Sequence, residues 1–254
     1  MSISPKSSRV TILVKALPQP SKQYGETVCC AGVTSEGHWK RLYPIRFRHL
    51  QDGQIFKRWN WVKFDYREPT RDKREESCHA YEDTIVVEGV FPERERALFF
   101  NRIIVGSAEH AVAKGQSLAL IRPRNTKFSF KAKSKEEIAK SKETFKQAAQ
   151  QESFFDQKLA DLEPSPYEFR FNFEDDSGQH SYQDGDWETH AMFFNARNRT
   201  SEQEALRWMN EIFNERYPKQ GMVFALGNMA KRPQTWQLLG VIRLDINVQT
   251  ELNL

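Results

Sequence analysis

Long apolar runs are missing from this sequence, and none approaches the roughly 20 residues that a spanning helix needs. The short apolar stretch near the N-terminus is followed by no small-residue cleavage pattern, which favours a first strand over a signal peptide. Cysteine is also scarce: Cys29, Cys30 and Cys78 provide no second close pair for a zinc site. We therefore expect reduced core thiols in a soluble, cytoplasmic protein.

Several catalytic motifs are absent as well. There is no glycine-rich phosphate loop, no His-x-Glu with Cys-x-x-Cys as in zinc deaminases, and no Gly-x-Ser-x-Gly elbow. The Asp/Glu-x-Lys ending of many restriction nucleases has no convincing match after a strand. Since His180, Asp184, Asp186 and Glu188 lack a recognised ligand spacing, we predict neither a metal nor another cofactor.

The composition is that of an ordinary globular protein. Of its 254 residues, 39% are hydrophobic and 28% are charged, with a formal net charge of +4. Apolar and polar residues alternate in the first half, as in WVKFDYR, whereas residues 133–151 are highly charged. We predict an α+β fold in which a strand-rich, barrel-like N-terminal half packs with an α+β C-terminal half. The predicted parts are a nucleic-acid-binding domain at 1–132, a charged helical linker at 133–165 and an α+β domain with an acidic site at 166–254.

Three helix starts are marked by capping residues. Ser107 and Asp186 are good N-cap residues ahead of helical patterns. Ser201 and Glu204 have the spacing of a capping box. These signals place Asp186 at the first turn of a helix.

A basic, aromatic-rich surface is the main functional signal. The segment WKRLYPIRFR, residues 39–48, has four cations and no acid, and KRWNWVKFDYR follows soon after. Guanidinium groups suit phosphate oxygens, and exposed rings offer faces on which unstacked bases can lie. The alternative is a solvated strand face with its aromatic residues in the core. The candidate nucleic-acid-binding residues are Lys40, Arg41, Tyr43, Arg46, Arg48, Lys57, Arg58, Trp59 and Trp61.

Acidic residues gather instead at 173–188, FEDDSGQHSYQDGDWE. Carboxylates beside a histidine can provide a general base or stabilise developing positive charge. Asp186 and Glu188 are the first catalytic candidates and His180 is the next. The alternative for Asp186 is a role as helix cap alone.

Three stretches, 11–50, 184–194 and 224–243, together resemble bacterial phage-defence proteins, with LYPIRFR and DWE their most distinctive segments. Within that group they resemble the DNA glycosylases that excise glucosylated hydroxymethylcytosine from phage DNA. The resemblance implies an enzyme that extrudes the modified nucleotide into a pocket between its two halves. A carboxylate would then stabilise positive charge on the deoxyribose, and hydrolysis would leave an abasic site.

Three other function classes fit the same residues. One is a non-catalytic reader of modified bases, and another is a nuclease that holds magnesium in the acidic cluster. The third is an RNA-binding or tRNA-processing protein, since basic aromatic surfaces also bind single-stranded RNA.

Overall fold

The computed structural model describes residues 5–21, 25–47, 49–151 and 165–245. The elements of the first part are β1 Lys6–Lys15, β2 Gln19–Ser21, β3 Gly25–Val33, β4 Trp39–Ile45, β5 Asn60–Arg67, β6 Ser77–Ala80, a 3-10 turn Glu82–Thr84, β7 Val86–Val90 and α1 Glu93–Phe100.

The second part contains further strands and helices. They are β8 Ile104–Val105, α2 Ala108–Ala113, β9 Leu118–Ile121, β10 Arg124–Ala132, α3 Lys135–Gln151, β11 Tyr167–Asp175, β12 Gly178–Gln183, α4 Trp187–Arg199, α5 Glu202–Glu211, a π-helical turn Ile212–Arg216, α6 Tyr217–Lys219, β13 Met222–Met229 and β14 Arg232–Arg243.

Five strands of the first part close into a barrel. They pair in the order β1-β3-β4-β6-β5, and β5 pairs back with β1. Strands β4 and β6 run parallel, while the other barrel neighbours run antiparallel. If the barrel strands are numbered along the chain, this order is that of the OB-fold, a Greek-key barrel. The predicted barrel-like N-terminal half is confirmed.

The alternation in β5 explains why this segment is a barrel strand. Val62 and Phe64 have no exposed surface and Tyr66 is buried, whereas Lys63 and Arg67 face solvent. A strand with one buried and one solvated face reads as this two-residue repeat. The inward side chains form a core with residues of the other barrel strands.

The second part contains two sheets, ordered β14-β13-β9-β8 and β10-β11-β12. Strands β9 and β10 pair with β13 and β11, so they belong to the C-terminal half. Strand pairing therefore joins β8, β9 and β10, which lie within the predicted first domain at 1–132, to the sheets of the second part. The predicted linker contains α3, which lies against β2 and β3 of the barrel region. Residues 152–164 of that linker lie outside the described part.

The predicted helix starts agree with the structure. The Ser107 hydroxyl accepts a hydrogen bond from the backbone N–H of His110, and Ser201 and Glu204 form a complete capping box. Asp186 caps α4 by accepting from the Glu188 N–H. None of the helices in the described residues has the length and hydrophobicity needed to cross a membrane.

Closure of the barrel requires a very close approach between β1 and β3. A Cβ atom at Gly32 would lie 2.4 Å from the Thr11 carbonyl oxygen. Because that oxygen belongs to the backbone of a paired strand, it cannot move aside without disturbing the sheet.

Gly32→Ala should therefore destabilise the protein by about 1–3 kcal/mol or more, as expected for overpacking. Gly240→Ala is the matched control, since its nearest contact would be the Ala225 methyl at 3.2 Å. Urea unfolding measures both variants. Equal stability losses would show that the β1–β3 approach is not the constraint.

Candidate nucleic-acid interface

A patch of polar side chains forms on the outer face of the barrel. The strand register places Arg41 opposite Ser77 and Tyr43 opposite His79, and His79 is also opposite Arg67. Side chains of directly opposed residues project to the same face of a sheet. Strands β4, β6 and β5 thus bring together residues that are distant in sequence.

This patch is the floor of a cleft of about 690 Å³. The loop at 68–76 and the turn between β13 and β14 supply its walls, so the two halves of the protein build it together. Its cationic lining residues are Arg41, Arg67, Arg71, Arg74 and Lys231, and the acidic residue among its described lining is Asp72.

Two of the arginines are held in place. Arg41 is 4% exposed and donates from Nη2 to the Ser117 carbonyl at 2.5 Å. Arg74 donates from Nη1 to the Asn228 carbonyl of β13 at 2.8 Å and pairs with Asp72 at 2.6 Å. These bonds tie the barrel loop to the second half and occupy the carboxylate of Asp72.

The other three cationic residues of the lining are exposed to solvent. Arg67, Arg71 and Lys231 are exposed, and their side chains make no hydrogen bond or ion pair with any residue that the structure describes. Cations whose charge is not neutralised by the protein are suited to bind an anion such as phosphate. The cleft therefore presents positive charge from both halves.

Tyr43 and His79 complete the floor. Tyr43 is 40% exposed, and its hydroxyl accepts from Thr27 Oγ1 at 3.4 Å, which helps to fix the ring. Burial, together with the nearby charge of Arg67, lowers the pKa of His79 from its ordinary value. The imidazole is accordingly neutral near pH 7.5.

The other basic candidates that the structure describes lie away from this lining. Arg46 pairs with Glu82 at 2.7 Å, and the Lys40 ammonium lies 5.6 Å from the centre of the Tyr66 ring. Lys57 is exposed but does not line the cleft, and Arg48 lies outside the described residues. Of the predicted track, the structure brings Arg41 and Tyr43 to the cleft.

The two tryptophans are not open stacking platforms. The Arg96 guanidinium lies 4.3 Å from the Trp59 ring centre, and that of Arg9 lies 4.1 Å from the Trp61 ring centre. Both indoles also pack beside the core between the two halves. Packing and cation–π interactions therefore account for the presence of these two tryptophans.

Arg58 and Asp186 form a buried pair at the junction of the two halves. Arg58 Nη2 donates to both carboxylate oxygens of Asp186, at 2.8 and 2.7 Å, and Asp186 has no exposed surface. Arg58 also donates to the carbonyls of Leu13 and Val241. Asp186 and Arg58 are therefore bound to each other in the interior, and this part of the predicted site forms a structural link between the two halves.

Glu188 is paired as well. Its carboxylate lies 2.8 Å from Lys15 Nζ, and its side chain is 36% exposed. Burial opposes ionisation of Glu188, but the hydrogen bond and charge of Lys15 outweigh it and lower the pKa of this carboxyl. Glu188 does not line the cleft with Arg41 and Tyr43.

His180 lies in the β11–β12 hairpin, where it contacts Asp175 and Ser177. Its Nε2 atom is 2.8 Å from Asp175 Oδ1 and 3.3 Å from Ser177 Oγ. A catalytic triad instead uses both ring nitrogens, one for the serine and the other for the carboxylate. The cluster thus has the geometry of a turn. Among the described residues, no group of three or more histidine, cysteine and acidic side chains is placed to hold a metal.

Family comparison agrees with the division seen in the strand pairing. A model for a domain of unknown function, DUF8757, matches residues 102–252, which is more than half of the chain. The chain belongs to the DUF8757 family. A model for another domain of unknown function, DUF8758, matches residues 6–101, the barrel and α1. The cleft therefore lies between the DUF8758 and DUF8757 regions.

Other comparisons are less informative. No curated protein sequence matches the chain significantly. A solved structure described as a replication protein A heterotrimer bound to single-stranded DNA is 8% identical, with 98% of this chain and 68% of that chain covered and a TM-score of 0.24. A similarity this low supports no conclusion about the fold or function of the DUF8757 chain.

Several cleft residues were missed in the sequence. Arg67, Arg71 and Arg74 lie in or beside the charged segment 67–76, and Lys231 lies in the basic turn of NMAKRPQ from the DUF8757 region. Both segments are recognisably basic, but they are more than 150 residues apart. Their proximity in the fold follows from the contact of Arg74 with β13.

Removing one partner of the buried junction pair should be costly. Arg58→Met should lower the free energy of unfolding by about 3–5 kcal/mol, because it leaves Asp186 buried without its charge partner. Lys57→Met is the control at an exposed neighbouring position and should change stability by no more than about 0.5 kcal/mol. Urea denaturation measures both, and wild-type stability of Arg58→Met would refute the structural role.

Proposed function

We propose that the protein binds single-stranded nucleic acid, with DNA as its partner, in the cleft between the barrel and the DUF8757 region. The observation that carries the proposal is the combination of Arg67, Arg71 and Lys231 with the exposed ring of Tyr43. Single-strand binding uses both features: cations follow the backbone and aromatic rings stack on unpaired bases.

The placement of the charges supports this function. Arg71 belongs to the barrel loop and Lys231 to the turn between β13 and β14, so cations flank the floor on which Tyr43 lies. A phosphate backbone along the walls would leave a base free to reach the ring.

Base excision remains a prediction from the family resemblance noted in the sequence. That chemistry needs a carboxylate beside the deoxyribose. Among the described lining residues the acid is Asp72, and its oxygens already accept hydrogen bonds from Arg74 and Ser77. Asp186 and Glu188 are engaged elsewhere. The geometry therefore favours binding without excision.

The salt dependence of binding tests the cleft. Two phosphate contacts to a single strand, from Arg71 and Lys231, predict a slope of about −1.4 for log K against log[salt], because each contact contributes about −0.7. Arg71→Gln combined with Lys231→Gln should weaken binding of a fluorescent oligonucleotide and remove most of that slope. Fluorescence anisotropy across a salt titration measures both effects.

Lys127→Gln with Lys131→Gln is the matched control, since it removes two exposed cations on β10 that do not line the cleft. Cys29 gives a second check of location. It lines the cleft and is partly exposed, whereas Cys30 and Cys78 are buried, so bound oligonucleotide should slow alkylation of Cys29. Equal slopes in both double variants, with unprotected Cys29, would place binding elsewhere.

A chemical assay separates binding from excision. We expect DNA that carries glucosylated hydroxymethylcytosine to be bound by the protein in EDTA but to remain intact, because the described lining has no unoccupied carboxylate. Released base and alkali-labile sites would instead establish a glycosylase. Strand breaks that require magnesium would establish a nuclease.

A further inference from the structure

We infer that the cleft prefers bases with a carbonyl oxygen at pyrimidine position 4 or purine position 6, namely thymine, uracil and guanine, over cytosine and adenine, which have an amino group there. The inference rests on the proposed function and adds a specificity to it. Its basis is the one-sided hydrogen-bonding character of the side chains around Tyr43.

Hydrogen-bond donors dominate the lining. Each guanidinium and ammonium group donates and cannot accept a hydrogen bond. Arg41 and Arg74 already donate to Ser117, Asp72 and Asn228, so the donors of this kind without a described partner are Arg67, Arg71 and Lys231. A base edge placed beside them meets N–H groups.

Acceptors are few, and the strongest is already used. Asp72 Oδ1 accepts from Arg74 Nε at 2.9 Å, and Asp72 Oδ2 accepts from Arg74 Nη2 at 2.6 Å and from Ser77 Oγ at 2.7 Å. The lining side chains otherwise offer hydroxyl groups and one nitrogen of neutral His79 as acceptors. An exocyclic amino group therefore has little to donate to.

The register places these donors within reach of a stacked base. Tyr43, His79 and Arg67 lie side by side on three adjacent strands, and neighbouring strands are about 4.8 Å apart. A base on the Tyr43 ring would extend its edge toward His79 and Arg67. Arginine pairs well with base carbonyl oxygens, as it does with guanine.

Uracil and cytosine provide the cleanest comparison. They have the same ring size, but uracil has a carbonyl oxygen at the position where cytosine has an amino group. A carbonyl would accept from Arg67, whereas the amino group would leave donors facing donors. A matched hydrogen bond of this kind corresponds to a preference of roughly fivefold or more.

The experiment compares dU12 with dC12 by fluorescence anisotropy at pH 7.5 over a range of salt concentrations. We expect dU12 to bind roughly fivefold more tightly or better. The ratio of the two affinities should not change with salt, because both strands have the same phosphates. The two dissociation constants should themselves both rise with salt.

Two variants with the same loss of charge separate base recognition from phosphate contact. Arg67→Gln replaces a pure donor beside His79 with an amide that both donates and accepts, so the preference for dU12 should largely disappear. Lys231→Gln on the opposite wall should weaken both strands equally and keep the preference.

The outcomes distinguish the two proposals. Equal or tighter binding of dC12, in a cleft whose variants still lose affinity, overturns the base preference and leaves single-strand binding intact. A preference that survives Arg67→Gln also overturns it. No binding of either strand, or binding that no cleft variant weakens, overturns the proposed function itself.

Discussion

One largely buried guanidinium, that of Arg58 with 13% of its side chain exposed, fixes the barrel against the second half of the protein. Arg58 donates to the Leu13 carbonyl of β1, to the Val241 carbonyl of β14 and to Asp186 at the start of α4. Leaving a buried charge without its partner lowers the free energy of unfolding by several kcal/mol. The folded state is therefore stable only when the three groups that accept from Arg58 are brought together. The same docking sets the β13–β14 turn opposite the loop at 68–76, which creates the cleft. Its geometry thus depends on an interaction between residues that do not line it.

The arginines of the cleft have different roles, and the role of each depends on whether its side chain is bonded within the protein or exposed. Arg41 is fixed by Ser117, and Arg74 is fixed by Asp72 and Asn228, so both shape the cleft. Arg67 and Arg71 are exposed without a described partner and are the ones suited to a ligand. The acidic residues also differ in how far they are buried. Burial, and next the neighbouring charge of Asp186, raise the pKa of Asp184, which lies at the junction with 1% exposure.

A cleft that draws cations from two independently recognised regions has a functional consequence. Neither the DUF8758 nor the DUF8757 region contains the whole lining, because Arg71 belongs to one and Lys231 to the other. Any ligand that spans the cleft would bind better to the docked protein than to either half, since separate halves would have to be brought together first. Nucleic-acid binding at this position would therefore favour the same arrangement that the Arg58 pair enforces.

The sequence alone determined the local structure. Alternation in β5, the caps at Ser107 and Ser201 and the N-cap at Asp186 are short-range signals, and each predicted its element. It also singled out Arg41 and Tyr43, which line the cleft, because the basic aromatic strand is contiguous. Only the tertiary structure decided that Arg58 and Asp186 neutralise each other and that residues 67–76 face Lys231. A sequence shows which residues are charged but not which of them pair. Partners more than 100 residues apart in the chain are brought together only when the sheets pack against each other.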